Sequence, residues 1–162
     1  GGSDKQTTAA SEFEILAPVS GELVHLENTN DPAFSSRAVG DGVAVAPQEG
    51  TVCAPVSGTV AALFPTEHAL GIMSDDSSAQ VMLHIGIDTV KLEGKGFHAL
   101  VAQGDHVDAG QPLVEVDFDV VRAAGFDPTV FVIVCERSEN STLREHASGP
   151  VAVKEPVIWL SE

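Results

Sequence analysis

The chain is cut into short apolar runs by glycine, proline, aspartate and serine, and this punctuation limits it to strands joined by turns. The runs are Glu22–Leu26, Gly42–Ala46, Gly58–Phe64, Gln80–Ile85, Pro112–Val116, Val130–Val134 and Val157–Leu160. Each is rich in β-branched residues, is about four to eight residues long and is bounded by turn-forming residues. Runs of this length and spacing predict an all-β, mostly antiparallel sandwich or barrel. One short helix is expected after Asp117, with Asp117 or Asp119 as its cap and Gly125 ending it.

An internal repeat adds to this. Ala17-Pro18-Val19-Ser20-Gly21 recurs as Ala54-Pro55-Val56-Ser57-Gly58, each copy leading into a strand. A weaker echo joins Ala38-Val39-Gly40-Asp41-Gly42-Val43 to Gln103-Gly104-Asp105-His106-Val107. Two similar β-modules packed on one another would produce both; chance recurrence of a Pro-Gly turn is the alternative. The first residues are small and polar, so residues 1–12 read as a disordered tail or linker and residues 13–162 as one folded domain. At 43% hydrophobic residues over 162 positions, the chain has enough apolar content for a core.

Charge narrows the partners. A net charge of −16 repels nucleic-acid phosphates and anionic lipid. It suits either solubility or a partner with a basic face. No apolar run is long enough for a membrane helix, so direct membrane insertion is not expected. Cys53 and Cys135 form no CxxC pair and sit in apolar text, which predicts free thiols in a reducing, cytoplasmic setting.

Histidine carries the candidate chemistry. Imidazole is nucleophilic near neutral pH, and its N–P bond is labile enough to pass a phosphoryl group on. His84 ends the apolar run Val81-Met82-Leu83-His84-Ile85, on the same strand face as Met82 and Gly86. Gly86 would let another backbone or a phosphate come close. His68 lies where a strand ends in a loop, with Thr66 two residues away to orient its ring. Spacing alone leaves open, at both positions, a satisfied structural histidine or a functional one. GxSxG, P-loop, GxGxxG and HExxH motifs are absent from the sequence.

Taken in order, several segments resemble the glucose-family enzyme IIA of the bacterial phosphoenolpyruvate-dependent sugar phosphotransferase system. They are Ala17–Gly21, Phe34 with Val39–Gly42, Ala54–Val60, Phe64–Gly71, His84–Val90, Leu92–Phe97, Gly104–Val107 and Gly110–Leu113. The resemblance runs from about Phe13 to the C-terminus. It implies an antiparallel β-sandwich of duplicated hybrid-barrel type and a phosphotransferase component with a phosphohistidine intermediate. By the same resemblance, His84 accepts the phosphoryl group, His68 hydrogen-bonds it and Thr66 holds His68. Phe34, Val39, Phe64, Met82 and Val90 fall on an apolar rim that docks partners, and Asp31 and Asp88 on acidic positions flanking the histidines. HPr is the implied phosphoryl donor and the enzyme IIB domain of a sugar permease the acceptor, with no cofactor required. Backbone N–H groups near Gly86 are expected to help hold the transferring charge.

Two other readings use the same residues. A biotinyl- or lipoyl-type carrier shares the Gly104–Leu113 text but needs a modified lysine on a hairpin tip, and Lys91, Lys95 and Lys154 lack that setting. A LytM-like zinc hydrolase needs a His-x-His triplet, and glycine follows at position 86 instead. Zinc held weakly by His68 and His84, completed by a partner's carboxylate, is the metal binding this sequence allows.

Overall fold

The computed structural model describes residues 12–162. Among them the expected runs all become strands. The strands are β1 (Phe13–Leu16), β2 (Gly21–His25), β3 (Asp41–Pro47), β4 (Thr51–Cys53), β5 (Gly58–Leu63), β6 (Ala69–Ser74) and β7 (Ala79–Ile85). They continue as β8 (Phe97–Ala99), β9 (His106–Val107), β10 (Pro112–Val116), β11 (Val130–Arg137), β12 (Thr142–Glu145), β13 (Gly149–Val151) and β14 (Pro156–Ser161). All pairings are antiparallel. The eight-stranded sheet runs β13-β2-β3-β11-β7-β6-β5-β9, and two three-stranded sheets run β1-β14-β12 and β4-β10-β8. The tail expected over residues 1–12 lies outside the described residues up to position 11. Glu12 is described and pairs with Arg144 at 3.1 Å.

The repeat is a true structural duplication, visible bond for bond. Leu16 N–H donates to the Pro55 carbonyl at 2.9 Å, and Cys53 N–H donates to that of Pro18 at 2.8 Å. The two copies thus clasp each other reciprocally. Ala17 exchanges bonds with Glu155 and Lys154 as Ala54 does with Gln111 and Gly110, at 2.7–2.9 Å. Ser20 Oγ accepts from Val153 N–H at 2.9 Å, and Ser57 Oγ from Ala109 N–H at 2.8 Å. At each copy's final glycine a neighbouring strand comes close. A Cβ on Gly21 would lie 1.9 Å from the Ala46 oxygen, and one on Gly58 would lie 2.0 Å from the Met73 oxygen. The large sheet has the same symmetry: from the central β7–β11 pair outward, β6, β5 and β9 mirror β3, β2 and β13.

Strand alternation divides the apolar side chains between two faces. Val81, Leu83 and Ile85 of β7 and Val130, Val132 and Val134 of β11 point into the main core. Phe131 and Ile133 face the other way, into a smaller cluster with Leu26, Phe34 and Ala44 that Met82 and Cys135 pack against. That second face carries the histidines. Cys53 is a buried free thiol, while Cys135 is free but only half-buried.

Two short helices complete the fold. The expected one, α2 here, spans Phe118–Ala123, and Asp117 caps it by accepting from the N–H groups of Asp119 and Val120 at 3.1 and 3.3 Å. Asp119 is inside the helix and is not the cap. Gly125, at φ 88°, ends it, with Gly125 N–H bonded to the Arg122 carbonyl and Phe126 N–H to that of Val121. This bond pair closes the last turn in the way glycine-terminated helices use. The other helix, α1 (Pro32–Ser35), was not expected from the runs. It is a single turn with Asp31 as cap and proline at its start, a combination that fixes the first helical residue.

Candidate active site

His84 lies on the outer face of β7, opposite Phe131 of β11 and Ala69 of β6. His68 immediately precedes β6, and its carbonyl accepts the N–H of Ile85 at 2.7 Å. Sheet register therefore brings the two rings together: their centroids are 5.1 Å apart and their planes nearly perpendicular, at 86°. His68 is buried and His84 is half-buried.

Each ring has one nitrogen tied down. The Nδ1 of His84 is 2.8 Å from the Gly86 carbonyl, which can only accept, so Nδ1 carries the proton and Nε2 keeps a free lone pair. The Nδ1 of His68 is 2.6 Å from Thr66 Oγ1. When the threonine hydroxyl donates, the proton of His68 sits on Nε2. The pair then presents one bare nitrogen and one N–H, the combination needed to bind and hold an incoming anion.

Burial holds both rings neutral. Desolvation, reinforced by the neighbouring His84, brings the pKa of His68 down to about 4. His84 is also lowered by burial, opposed by the Gly86 carbonyl and by the charges of Asp31 and Asp88. The stability consequence follows from the sign of the His68 shift. Between about pH 6.5 and 4 the unfolded chain binds a proton at this position that the folded chain does not. The buried His68 therefore lowers stability as pH falls through that window. Thermal melts from pH 7 to pH 4 should show a steeper loss for wild type than for His68→Gln. Parallel curves would contradict this protonation.

The walls of the site are apolar. Phe34 packs edge-on against His84 at 5.2 Å and stacks on Phe131 at 4.4 Å, so α1 closes one side of the acceptor ring. Phe64 stands edge-on to His68 at 5.5 Å. Four large hydrophobic side chains are notably exposed among the described residues: Val39, Phe64, Val90 and Leu100. Three of them are rim residues named from the sequence. Phe34, by contrast, is 5% exposed and Met82 half-buried, so these two belong to the wall. The loop bearing Val39 is fixed by Arg37, which pairs with Glu27, Asp41 and Glu145 at 2.9, 3.1 and 2.8 Å.

At Gly86 the close approach expected from the sequence is made by the chain's own Thr89 side chain and the backbone of residues 127–129. At φ 82° Gly86 turns the chain so that its own carbonyl meets His84, and its nearest neighbours are the Thr89 side chain and the Asp127 carbonyl. Its N–H is committed to the Thr129 carbonyl at 2.8 Å, and that of Ile87 to Asp127 at 2.9 Å. Neither is free for an anion, because the 127–129 segment clamps the turn. Sequence reasoning missed this clamp, in which Asp127 accepts from Asn30 and from Thr129 N–H, and it missed Phe131 as well. The only signal was the Asp-Pro-Thr turn text before β11.

The family model for the phosphoenolpyruvate-dependent sugar phosphotransferase system, EIIA 1, matches residues 13–140. The chain belongs to this family. It is 41% identical over 144 residues to the glucose-specific EIICBA component of Streptococcus pneumoniae serotype 4, covering 89% of this chain and 20% of that relative. It is 40% identical over 161 residues to the beta-glucoside-specific EIIBCA component of Bacillus subtilis, covering 99% and 26% respectively. The chain thus spans about a fifth to a quarter of the length of these curated relatives. Among solved structures, the glucose permease IIA of Mycoplasma capricolum superposes with a TM-score of 0.83 at 35% identity, covering 91% of this chain and 95% of that one. The EIIA assignment gives no support to a LytM-like hydrolase or a biotinyl-type carrier. Among the described residues no helix is long and apolar enough to cross a membrane.

Proposed function

We propose that this EIIA chain takes a phosphoryl group from phosphorylated HPr onto Nε2 of His84 and passes it to the IIB domain of a sugar permease, in the cytoplasm. One observation carries the reading: two imidazoles in contact, each with Nδ1 engaged, set inside an apolar rim. The lone pair of Nε2 attacks phosphorus in line, and the N–P bond of the donor phosphohistidine breaks as its electron pair returns to the donor ring. His84 keeps its Nδ1 proton, so its ring gains positive charge as the new bond forms. The Gly86 carbonyl, Asp31 and Asp88 all favour that charge. The Nε2–H of His68 donates to a phosphoryl oxygen, and Thr66 keeps it in that tautomer. With the N–H groups of Gly86 and Ile87 committed, those of Asp88, Thr89 and Val90, for which no protein acceptor occurs among the described residues, are the donors left in this turn.

The exposed Val39, Phe64 and Val90 supply a dry docking rim, and the acidic surface favours a donor with a basic face. The reaction needs no cofactor. The bare Nε2 of His84, joined by that of His68 once it gives up its proton, would suit zinc, but no group of three or more ligating side chains occurs among the described residues. A resident catalytic metal therefore does not fit; zinc held here would need a carboxylate from another molecule.

The test is incubation with phosphoenolpyruvate, enzyme I and HPr, followed by intact mass measurement. The expected result is the gain of one phosphoryl group, stable to base and lost in acid. No gain, or a gain stable in acid, would overturn the reading.

A further inference from the structure

Glu67 sits between Thr66 and His68, and neither the family resemblance nor the transfer chemistry gives it a role. Its backbone is left-handed, at φ 63°, a region sparsely populated by residues other than glycine. Its side chain leaves the site and accepts the N–H of Ala99, on the edge strand β8. The backbone of the 64–68 loop is otherwise held by Glu67 N–H to the Phe64 carbonyl and Phe64 N–H to that of Ala69, and at its end by Ile85 N–H of β7 to that of His68. The adjoining Leu63 N–H is met by Gln103 Oε1 at 3.2 Å. Glu67 is therefore a side-chain strut from the middle of this loop, on the large sheet, to the small β4-β10-β8 sheet. The same few residues carry Phe64 on the rim, Thr66 and the buried His68.

We propose that Glu67 is a positioning residue that holds the Phe64–His68 loop so that Thr66 keeps His68 in its Nε2–H tautomer. The inference rests on the transfer reading above. With the strut removed, the loop keeps its turn but loses its tie to β8, and the 2.6 Å contact between Thr66 and His68 is no longer enforced. A ring free to exchange tautomers spends part of its time with no proton aimed at the phosphoryl oxygen. Because the reacting groups must be held within a fraction of an ångström, such loosening lowers the transfer rate about tenfold or more.

Three variants separate positioning from mere structure. Glu67→Gly suits the left-handed backbone and removes the acceptor, Glu67→Asn tolerates the same backbone with a side chain too short to reach Ala99, and Glu67→Gln keeps an acceptor oxygen. Phosphoryl uptake from phosphorylated HPr is measured alongside the 15N shifts of His68. Expected results are uptake slowed about tenfold or more in Glu67→Gly and Glu67→Asn, with His68 nitrogen shifts moved toward a tautomer average. Glu67→Gln should stay within about twofold of wild type on both measures. Wild-type rates and shifts in the glycine and asparagine variants would overturn the proposal. So would equal losses in all three, or losses matching only the folded fraction seen by circular dichroism. Should wild type itself take up no phosphoryl group, the transfer reading fails rather than this one. The 15N shifts still report whether Glu67 controls the tautomer.

Discussion

His84→Ala should take up no phosphoryl group from phosphorylated HPr while keeping its fold. The ring is half-buried on the outer face of β7, so truncation removes contacts with Phe34 and Phe131 and leaves the main core untouched. The stability loss should be modest, about 1–2 kcal/mol. The chemical loss should be total, because no other imidazole can replace the nucleophile. The neighbouring His68 is buried, and with Thr66 donating to its Nδ1 its Nε2 carries the proton and has no lone pair to offer. Intact mass after incubation with the donor system checks the first expectation, and a urea titration checks the second. A variant phosphorylated as well as wild type would show that another nitrogen is the acceptor.

Gly58→Ala and Gly21→Ala should each destabilise the chain by about 3 kcal/mol or more, and by similar amounts. A Cβ at either position would lie about 2 Å from a carbonyl oxygen of the adjacent strand, Met73 or Ala46. Backbone cannot yield as a flexible side chain can, so the local pairing of β5 with β6, or of β2 with β3, must open. The two effects should match because the positions are equivalent in the duplicated fold. Urea titrations of both variants measure this; a loss under about 1 kcal/mol in either would contradict the close approach.

The central strands were legible because their buried faces demand apolar, β-branched residues. Val130–Val134 and Gln80–Ile85 could hardly be anything else. Ala69–Ser74 mixes alanine, glycine and methionine, and only its pairing with β5 and β7 makes it a strand. Thr142–Glu145 is polar for the same reason: it is an edge strand held by β14 alone. Local sequence could show His84 on an outward face and Thr66 within reach of His68. It could not show the two rings in contact, because that depends on the register of β6 against β7. The same limit hid Phe131 and the clamp at Asp127–Thr129, which reach His84 and Gly86 from a distant part of the chain. The acceptor role itself came from resemblance, since a lone histidine at a strand end looks alike whether idle or reactive.

The last strand has a consequence for how such a chain is made. β14 is the middle strand of its sheet, with Phe13 paired to Leu160 on one side and Leu143 paired to Leu160 on the other. Its Val157, Ile158 and Leu160 are buried in the main core. The first described strand, tied earlier only by Leu16 N–H to the Pro55 carbonyl, therefore has no pairing strand until almost the last described residue has left the ribosome. During synthesis the apolar face of β1 stays open, and assembly must wait for a closure spanning nearly the whole length of the domain. A nascent chain stalled a few residues short of Leu160 would be exposed to proteases and chaperones that the finished domain resists.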